Sequence, residues 1–108
     1  MKLLELVCYF RNGGSFDEFC ESEQLNQESE VIEIYIKKPL ELNNDLGFFE
    51  IEKTEGKSEL VNVGIEYSNL FDFYYFLNSI EDSNKEENRF FSDEEITKLL
   101  FKYALNDA

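Results

Sequence analysis

Few of the side chains in this sequence are suited to catalysis, because the sequence contains no histidine. Histidine is the most common general acid and base, and it activates serine and cysteine nucleophiles. Its absence excludes Ser-His-Asp and Cys-His systems and removes most transition-metal sites. The groups that remain are carboxylates, tyrosines, lysines and two cysteines. We therefore predict that the protein is not an enzyme and has no catalytic residues.

Carboxylate pairs occur at spacings compatible with acid–base catalysis, but the composition accounts for them. The chain has 24 acidic residues among its 108 positions, so neighbours such as Glu50 and Glu52 arise by chance. A solvated surface explains them better. The acidic loops at 43–47 and 82–88 lack the ligand ladder of an EF-hand, and no glycine-rich phosphate-binding motif is present. We expect no metal site and no cofactor.

The two cysteines, Cys8 and Cys20, lack the CxxC spacing of a zinc site. They could be a pair of buried reduced thiols or a disulfide, and reduced thiols are favoured because nothing marks the chain as secreted. Residues 1–10 are apolar but carry no basic leader and no small-residue cleavage site. No apolar run approaches the roughly 20 residues that span a bilayer. These features predict a cytoplasmic protein.

The net charge is the most informative property of the sequence. Against 24 acidic residues stand 10 basic ones, which leaves a formal charge of -14. Such a surface repels nucleic acid and anionic lipid and attracts a basic protein. General solubility is the alternative explanation, although small domains ordinarily carry a net charge of magnitude about 2 to 8. We predict a basic protein partner, with no direct binding to nucleic acid or to a membrane.

The acidic residues concentrate in two segments that contain no basic residue. The first lies between Arg11 and Lys37 and contains Asp17, Glu18, Glu21, Glu23, Glu28, Glu30 and Glu33. The second lies between Lys57 and Lys85 and contains Glu59, Glu66, Asp72, Glu81 and Asp82. On one side of the fold, the two segments would accelerate association with a cationic partner. On opposite sides, general solubility would be the better explanation.

Aromatic residues accompany the second acidic segment. A helix beginning near residue 69 would place Phe71 and Tyr75 beside Asp72 on its outer side, although both rings could instead belong to the core. Exposed rings beside an acid can anchor a basic protein through buried area and cation–π contacts. The predicted partner-binding residues are Asp17, Glu18, Glu21, Glu23, Glu66, Asp72, Tyr75, Glu81 and Asp82.

Hydrophobic periodicity predicts the elements of the N-terminal half. Residues 2–11 have apolar side chains on both faces of a strand, and we predict a buried strand, although periodicity does not exclude a helix. Ser15 followed by Glu18 is a capping-box pattern, which predicts a short helix. Residues 31–37 alternate isoleucines with other residues and predict a strand.

The C-terminal half is predicted to contain two strands and two helices. Residues 48–53 and 58–66 form strands joined as a hairpin, and three apolar residues of the second strand face the core: Val61, Val63 and Ile65. A helix then follows from residue 69, capped by Ser68 or Asn69. A second capping box predicts the final helix, beginning after Ser92 and containing Glu95.

The predicted element order β-α-β-β-β-α-α indicates a single α+β domain spanning residues 1–108. It would contain a mainly antiparallel sheet of about four strands, with three helices packed on one face. The three central strands are expected to form a meander.

In size, acidity, lack of histidine and α+β strand–helix order, the whole chain resembles the immunity proteins of bacterial contact-dependent growth inhibition and related polymorphic toxin systems. The resemblance implies a cytoplasmic inhibitor that binds the C-terminal toxin domain delivered by a neighbouring cell, often a nuclease. It would cover the active site or the substrate groove. A nuclease groove is basic because it holds phosphates, so an acidic protein suits it. No site residue is carried over by position.

Three other functions remain open at this point. A phage-type inhibitor or nucleic-acid mimic of a host nuclease or DNA-binding protein follows the same electrostatic logic, and gene neighbourhood would distinguish it. A small enzyme would need a pocket around Cys8 or Cys20 with a positively charged neighbour. A scaffold role would need a large exposed apolar patch.

Overall fold

An antiparallel sheet of four strands forms the centre of the protein in the computed structural model, which describes residues 1–85, 87–88 and 90–106. The strand order is β2-β1-β4-β3, with β1 (Ile32–Lys37), β2 (Leu46–Glu50), β3 (Glu59–Asn62) and β4 (Ile65–Asp72). The helices are α1 (Leu3–Arg11), α2 (Phe16–Ser22), α3 (Ile51–Thr54), α4 (Phe73–Ser83) and α5 (Asp93–Asn106). The predicted α+β class and four-stranded antiparallel sheet are confirmed, while the described ranges hold five helices rather than three.

The main core lies between one face of this sheet and four helices. Ile32, Ile34 and Ile36 of β1 point to that face and are buried, as the alternation predicts. They form one apolar cluster with residues of α1, α2, α4 and α5. Both predicted N-caps are confirmed: Ser15 Oγ accepts from the Glu18 backbone N–H, which is one half of a capping box, and Ser92 and Glu95 exchange the two hydrogen bonds of a complete one.

The first element is a helix, so the predicted strand over residues 2–11 is wrong. Its buried side chains recur at intervals of three and four positions, which places them on one helical face: Leu3, Leu6, Val7 and Phe10. The high density of apolar residues suggested burial on both faces of a strand. Leu4 and Cys8 instead lie half-buried on the flanks of the helix.

The sheet consists of two hairpins, so the predicted hairpin between 48–53 and 58–66 and the three-strand meander are wrong. β2 pairs with β1, and β3 pairs with β4. Residues 51–54 form α3, whose C-cap Glu55 is left-handed with a φ of 56°. The turn between β3 and β4 lies at Val63 and Gly64, with positive φ values of 51° and 76°. Such turns favour Asn, Asp or Gly, so a valine there hides the hairpin from the sequence.

The apolar residues of this hairpin were predicted to face the core, and that prediction is also wrong. The exposed fractions of the side chains are 65% at Val61, 91% at Val63 and 39% at Ile65. They belong to the edge strand β3, the turn that follows it and the start of β4.

Helix α4 begins at Phe73, four residues later than predicted, because β4 continues to Asp72. The N-cap is Asp72 rather than Ser68 or Asn69, and its Oδ1 accepts from the Tyr75 backbone N–H at 2.7 Å. The β-sheet pairing of residues 65–72 with β1 and β3 therefore replaces the first turn of the predicted helix.

The opposite face of the sheet is covered by α3 and the connection that follows it. Tyr35 on this face is fully buried, and its hydroxyl donates to the Lys57 carbonyl. Phe49 contacts the rings of both Tyr35 and Tyr67. No helix in the part of the chain that the structure describes is long and apolar enough to cross a membrane.

Candidate functional site

The nine residues predicted to bind a partner lie in three places. One group belongs to α2 and its C-cap and consists of Asp17, Glu18, Glu21 and Glu23. A second belongs to α4 and its N-cap and consists of Asp72, Tyr75, Glu81 and Asp82. Glu66 stands apart from both, opposite Val61 in the β3–β4 hairpin. The structure therefore does not gather the nine residues into one surface.

The two main groups lie on different flanks of α4. On one flank, α2 packs through Phe16 against Phe73, and Glu30 lines a small depression beside Tyr74. On the other flank, Tyr75 stacks on Tyr103 of α5. A single flat partner surface cannot cover both groups without spanning α4.

The acids of α2 and the segment that follows it are exposed, and none forms an ion pair with a described residue. We call this set the α2 acidic surface; its members are Asp17, Glu18, Glu21, Glu23, Glu28 and Glu30. Asp17 and Glu18 occupy the first turn of the helix, where the positive end of the helix dipole favours them. The remaining members have no comparable local compensation by charge.

Two other carboxylates hold the segment after α2 in place. Glu50 Oε2 accepts from the Asn26 backbone N–H at 2.7 Å, and Glu52 accepts from the Ser29 hydroxyl and the Glu30 backbone N–H. The Asn26 N–H, with a smaller effect of Lys53, lowers the pKa of Glu50. Some of the negative charge of the chain therefore fixes a loop.

A cleft of about 380 Å³ opens where β4 passes into α4, beside the C-terminal part of α5. We call it the tyrosine cleft and define it by five of its lining residues: Glu33, Asn69, Asp72, Tyr75 and Tyr103. The rings of Tyr75 and Tyr103 are stacked, with centroids 4.4 Å apart and planes 14° from parallel. This pair presents a rigid aromatic wall next to the two acidic residues.

The two carboxylates of the tyrosine cleft come from directly opposed positions in neighbouring strands. Glu33 of β1 pairs with Asp72 of β4 in the antiparallel register. The Cβ atoms of opposed residues are about 4.5–5.5 Å apart, and like charges in such a pair destabilise the sheet. Glu33 is only 9% exposed. Two opposed acids, one of them buried, form a place where a cation would be electrostatically favoured.

Among the described residues, the side-chain and backbone groups that donate hydrogen bonds to these two carboxylates are neutral. Glu33 Oε1 accepts from Thr54 Oγ1 at 2.7 Å, and Oε2 accepts from Asn69 Nδ2 at 2.9 Å. Asp72 accepts from the Tyr75 backbone N–H. No lysine or arginine is among the described residues that line the cleft. The arrangement is therefore suited to binding a positively charged group.

A second depression, of about 260 Å³, adjoins the tyrosine cleft on the far side of Tyr75. Its apolar lining includes Phe91 and Leu99, whose side chains are 41% and 55% exposed. Asp82 lies at its margin and forms an ion pair with Lys85 at 2.9 Å. Of the predicted residues, Asp72 lines the tyrosine cleft, Asp82 lines the second depression, and Tyr75 lines both.

The prediction that Phe71 and Tyr75 share an exposed helix surface is wrong, although the two rings contact each other, and other residues of the site were missed. Phe71 belongs to β4 and is a core residue, only 6% exposed. Glu33 was recognised as acidic but not selected, and Tyr103 was not selected at all. An acid alternating with buried isoleucines in β1 is the signal that could have identified Glu33.

The cysteines are free thiols, half-buried at Cys8 and buried at Cys20. Burial is the main cause that raises the pKa of each thiol, and a hydrogen bond with Asp93 raises the pKa of Cys8 further. A nucleophilic cysteine has a lowered pKa, so both differ from a reactive thiol.

Neither a metal-binding group among the described residues nor a matching known protein identifies a function for this surface. Within residues 1–85, 87–88 and 90–106, no group of three or more Cys, Asp or Glu side chains is placed to hold a metal ion. The α2 acidic surface and the tyrosine cleft are the features of charge and shape that distinguish the surface of this protein. Comparison of the chain with protein-family models, with curated proteins and with solved structures returned no match.

Proposed function

We propose that this protein binds a basic protein and inhibits it by covering the surface on which that partner holds an anionic substrate. One observation carries the proposal: the α2 acidic surface is exposed and has no ion-pair partner among the described residues. An uncompensated field of this kind attracts a cationic surface and accelerates association.

The distribution of basic residues supports this proposal. The basic residues that form ion pairs do so with acids outside the α2 acidic surface; examples are Arg11 with Asp93 and Lys38 with Glu59. Solubility requires only net charge, so it does not explain why the basic residues pair with other acids and leave the α2 acidic surface without ion pairs.

The most specific form of the proposal is a cytoplasmic immunity protein that inhibits a cognate toxin nuclease, as in contact-dependent growth inhibition. A nuclease groove carries positive charge because it binds phosphates, so an acidic protein competes with the substrate for it. The acidity and the lack of histidine support a binding role over catalysis. A phage-type inhibitor of a host nuclease or DNA-binding protein is the second candidate, supported by the same acidic surface.

The first test is to purify the protein from its native host at low salt and identify what it retains. We expect a basic protein whose association rate constant falls about tenfold or more between low and physiological ionic strength, because the field of the α2 acidic surface is screened. Stopped-flow mixing measures this rate. Retention of a neutral or acidic partner with salt-independent kinetics would overturn the proposal.

A variant of the α2 acidic surface locates the interface. Replacing Asp17, Glu18 and Glu21 with Ser should slow association more than a control that removes three exposed acids elsewhere, at Glu41, Glu55 and Glu87. Both variants lose the same net charge, so a difference reports position rather than charge. Equal rates for the two folded variants would remove α2 from the interface. For a nuclease partner, restored cleavage of nucleic acid in the presence of the α2 variant provides a second readout.

A further inference from the structure

We propose that the tyrosine cleft and the adjoining depression form one groove that receives a segment of the basic partner, with an arginine side chain in the cleft. The guanidinium group would lie between the carboxylates of Glu33 and Asp72 and against the Tyr75–Tyr103 stack. An apolar side chain of the same segment would fill the depression lined by Leu99. This inference rests on the proposed function, because it names the part of a basic partner that the protein recognises.

Charge complementarity selects a cation for the cleft. Glu33 and Asp72 are directly opposed across β1 and β4, and the donors that reach them are neutral. An ionised carboxylate has about four acceptor positions, so each of these groups can accept more hydrogen bonds than it does. A cation between them would convert an unfavourable cross-strand pair into a favourable one. The free protein therefore presents a site that a positive group completes.

The geometry favours arginine over lysine. A guanidinium group is planar and carries five N–H donors, so it can bind two carboxylates at once while its face rests on an aromatic ring. Tyr75 and Tyr103 supply such a wall, since their rings are stacked within 14° of parallel. A lysine ammonium is a compact, strongly hydrated charge that cannot stack in this way.

The adjoining depression could bind a second side chain of the ligand. It shares Tyr75 with the cleft, and its volume of about 260 Å³ is enough for one apolar side chain. Leu99 and Phe91 are apolar and about half exposed on its lining. Burial of such surface beside a charged anchor is typical of protein interfaces. A neighbouring arginine and leucine therefore match the two parts of the groove.

The test uses the full chain and two blocked dipeptide amides, acetyl-Arg-Leu and acetyl-Lys-Leu, titrated in ¹H–¹⁵N NMR spectra. We expect saturable shifts at the backbone amides of Asn69, Tyr75 and Leu99 with the arginine peptide. The lysine peptide should bind roughly fivefold or more weakly. Equal affinity for the two peptides, or shifts confined to α2, would overturn the inference.

Two variants remove one carboxylate each with little change of shape. Asp72→Asn keeps a good N-cap residue for α4, and Glu33→Gln keeps an oxygen that can accept from Thr54. Each should weaken arginine-peptide binding about tenfold, whereas Glu41→Gln, an exposed acid outside the groove, should leave it unchanged. If Glu33→Gln does not fold, Asp72→Asn decides the result alone. Wild-type affinity in Asp72→Asn would overturn the inference.

These outcomes are separable from the test of the proposed function. Salt-dependent binding of a basic protein without arginine-peptide binding would reject the groove and keep the function. Arginine-peptide binding with no basic partner in the host would keep the groove and reject the function.

Discussion

The end of helix α1 is joined to two other helices by a single arginine side chain. Arg11 donates from Nη1 to Asp93 Oδ1 and to the Phe91 carbonyl, both at 2.9 Å, and from Nη2 to the Ser83 carbonyl. Its side chain is 9% exposed, and its buried Nε has no hydrogen-bond partner among the described residues. From the sequence, Arg11 only marked the start of an acidic segment. Its structural role depends on contacts with residues more than 70 positions away.

Removing this cation should destabilise the protein strongly. We expect Arg11→Met to lower the free energy of unfolding by about 3 kcal/mol, because Asp93 and two carbonyl groups lose a largely buried partner. Urea denaturation followed by far-ultraviolet circular dichroism measures the change. The control is Lys85→Met, which removes an exposed and solvent-screened ion pair with Asp82 and should leave the free energy of unfolding nearly unchanged. Similar losses in both variants would contradict the role given to Arg11.

At the scale of elements, features that depend on residues close together in the sequence could be predicted, whereas features that depend on strand register or unusual backbone angles could not. The N-caps at Ser15 and Ser92 were predictable because capping depends on residues three positions apart. The turn at Val63 was not, because a valine with a φ of 51° departs from the usual residue preference. The tyrosine cleft was also hidden, since the opposition of Glu33 and Asp72 depends on a strand register that includes a bulge.

The anchoring of the segment after α2 predicts a pH dependence. The pKa of Glu50 is lowered by the Asn26 N–H and by Lys53, so its contribution to stability is present above the ordinary value of 4.5 and is lost as the pH falls through the lower folded-state pKa. Glu50→Gln should therefore be less stable than the wild type at neutral pH, with a difference that shrinks below pH 4.5.

Urea denaturation at a series of pH values measures this difference. Glu41→Gln serves as the control for the loss of one acidic side chain, since the Glu41 carboxylate accepts no hydrogen bond in the described part of the chain. A difference between wild type and Glu50→Gln that stays constant through the acidic range would contradict the anchoring role.

At the scale of the whole molecule, the acidic residues perform several tasks. Glu50 and Glu52 hold a loop, Asp72 caps a helix, and the α2 acidic surface is left exposed. By sequence alone, the two base-free segments are similar. In the structure, the α2 acidic surface of the first segment has no ion pair with described residues, whereas Glu33 of the first segment and Asp72 of the second meet in the tyrosine cleft. The formal charge of -14 predicts an acidic surface, but it does not show which acids are exposed and which ones hold the structure together.

The net charge also predicts how salt affects the free protein. Repulsion among carboxylates opposes folding, and screening shortens its range from about 30 Å at 0.01 M salt to about 10 Å at 0.1 M. Sodium chloride over this range should therefore raise the melting temperature. Choline chloride at equal ionic strength should act similarly if screening is the cause. A melting temperature that falls or stays constant in both salts would contradict this prediction.

The stacked tyrosines have an optical consequence. The chain contains six tyrosines and no tryptophan, so its near-ultraviolet circular dichroism comes from phenol and phenyl rings alone. Two phenol rings held 4.4 Å apart couple their transitions, so the near-ultraviolet signal depends on the geometry of this pair. A guest that enters the tyrosine cleft alters that coupling. Occupancy of the cleft is thus readable in the unlabelled protein, and a tryptophan on the partner can be excited separately from it.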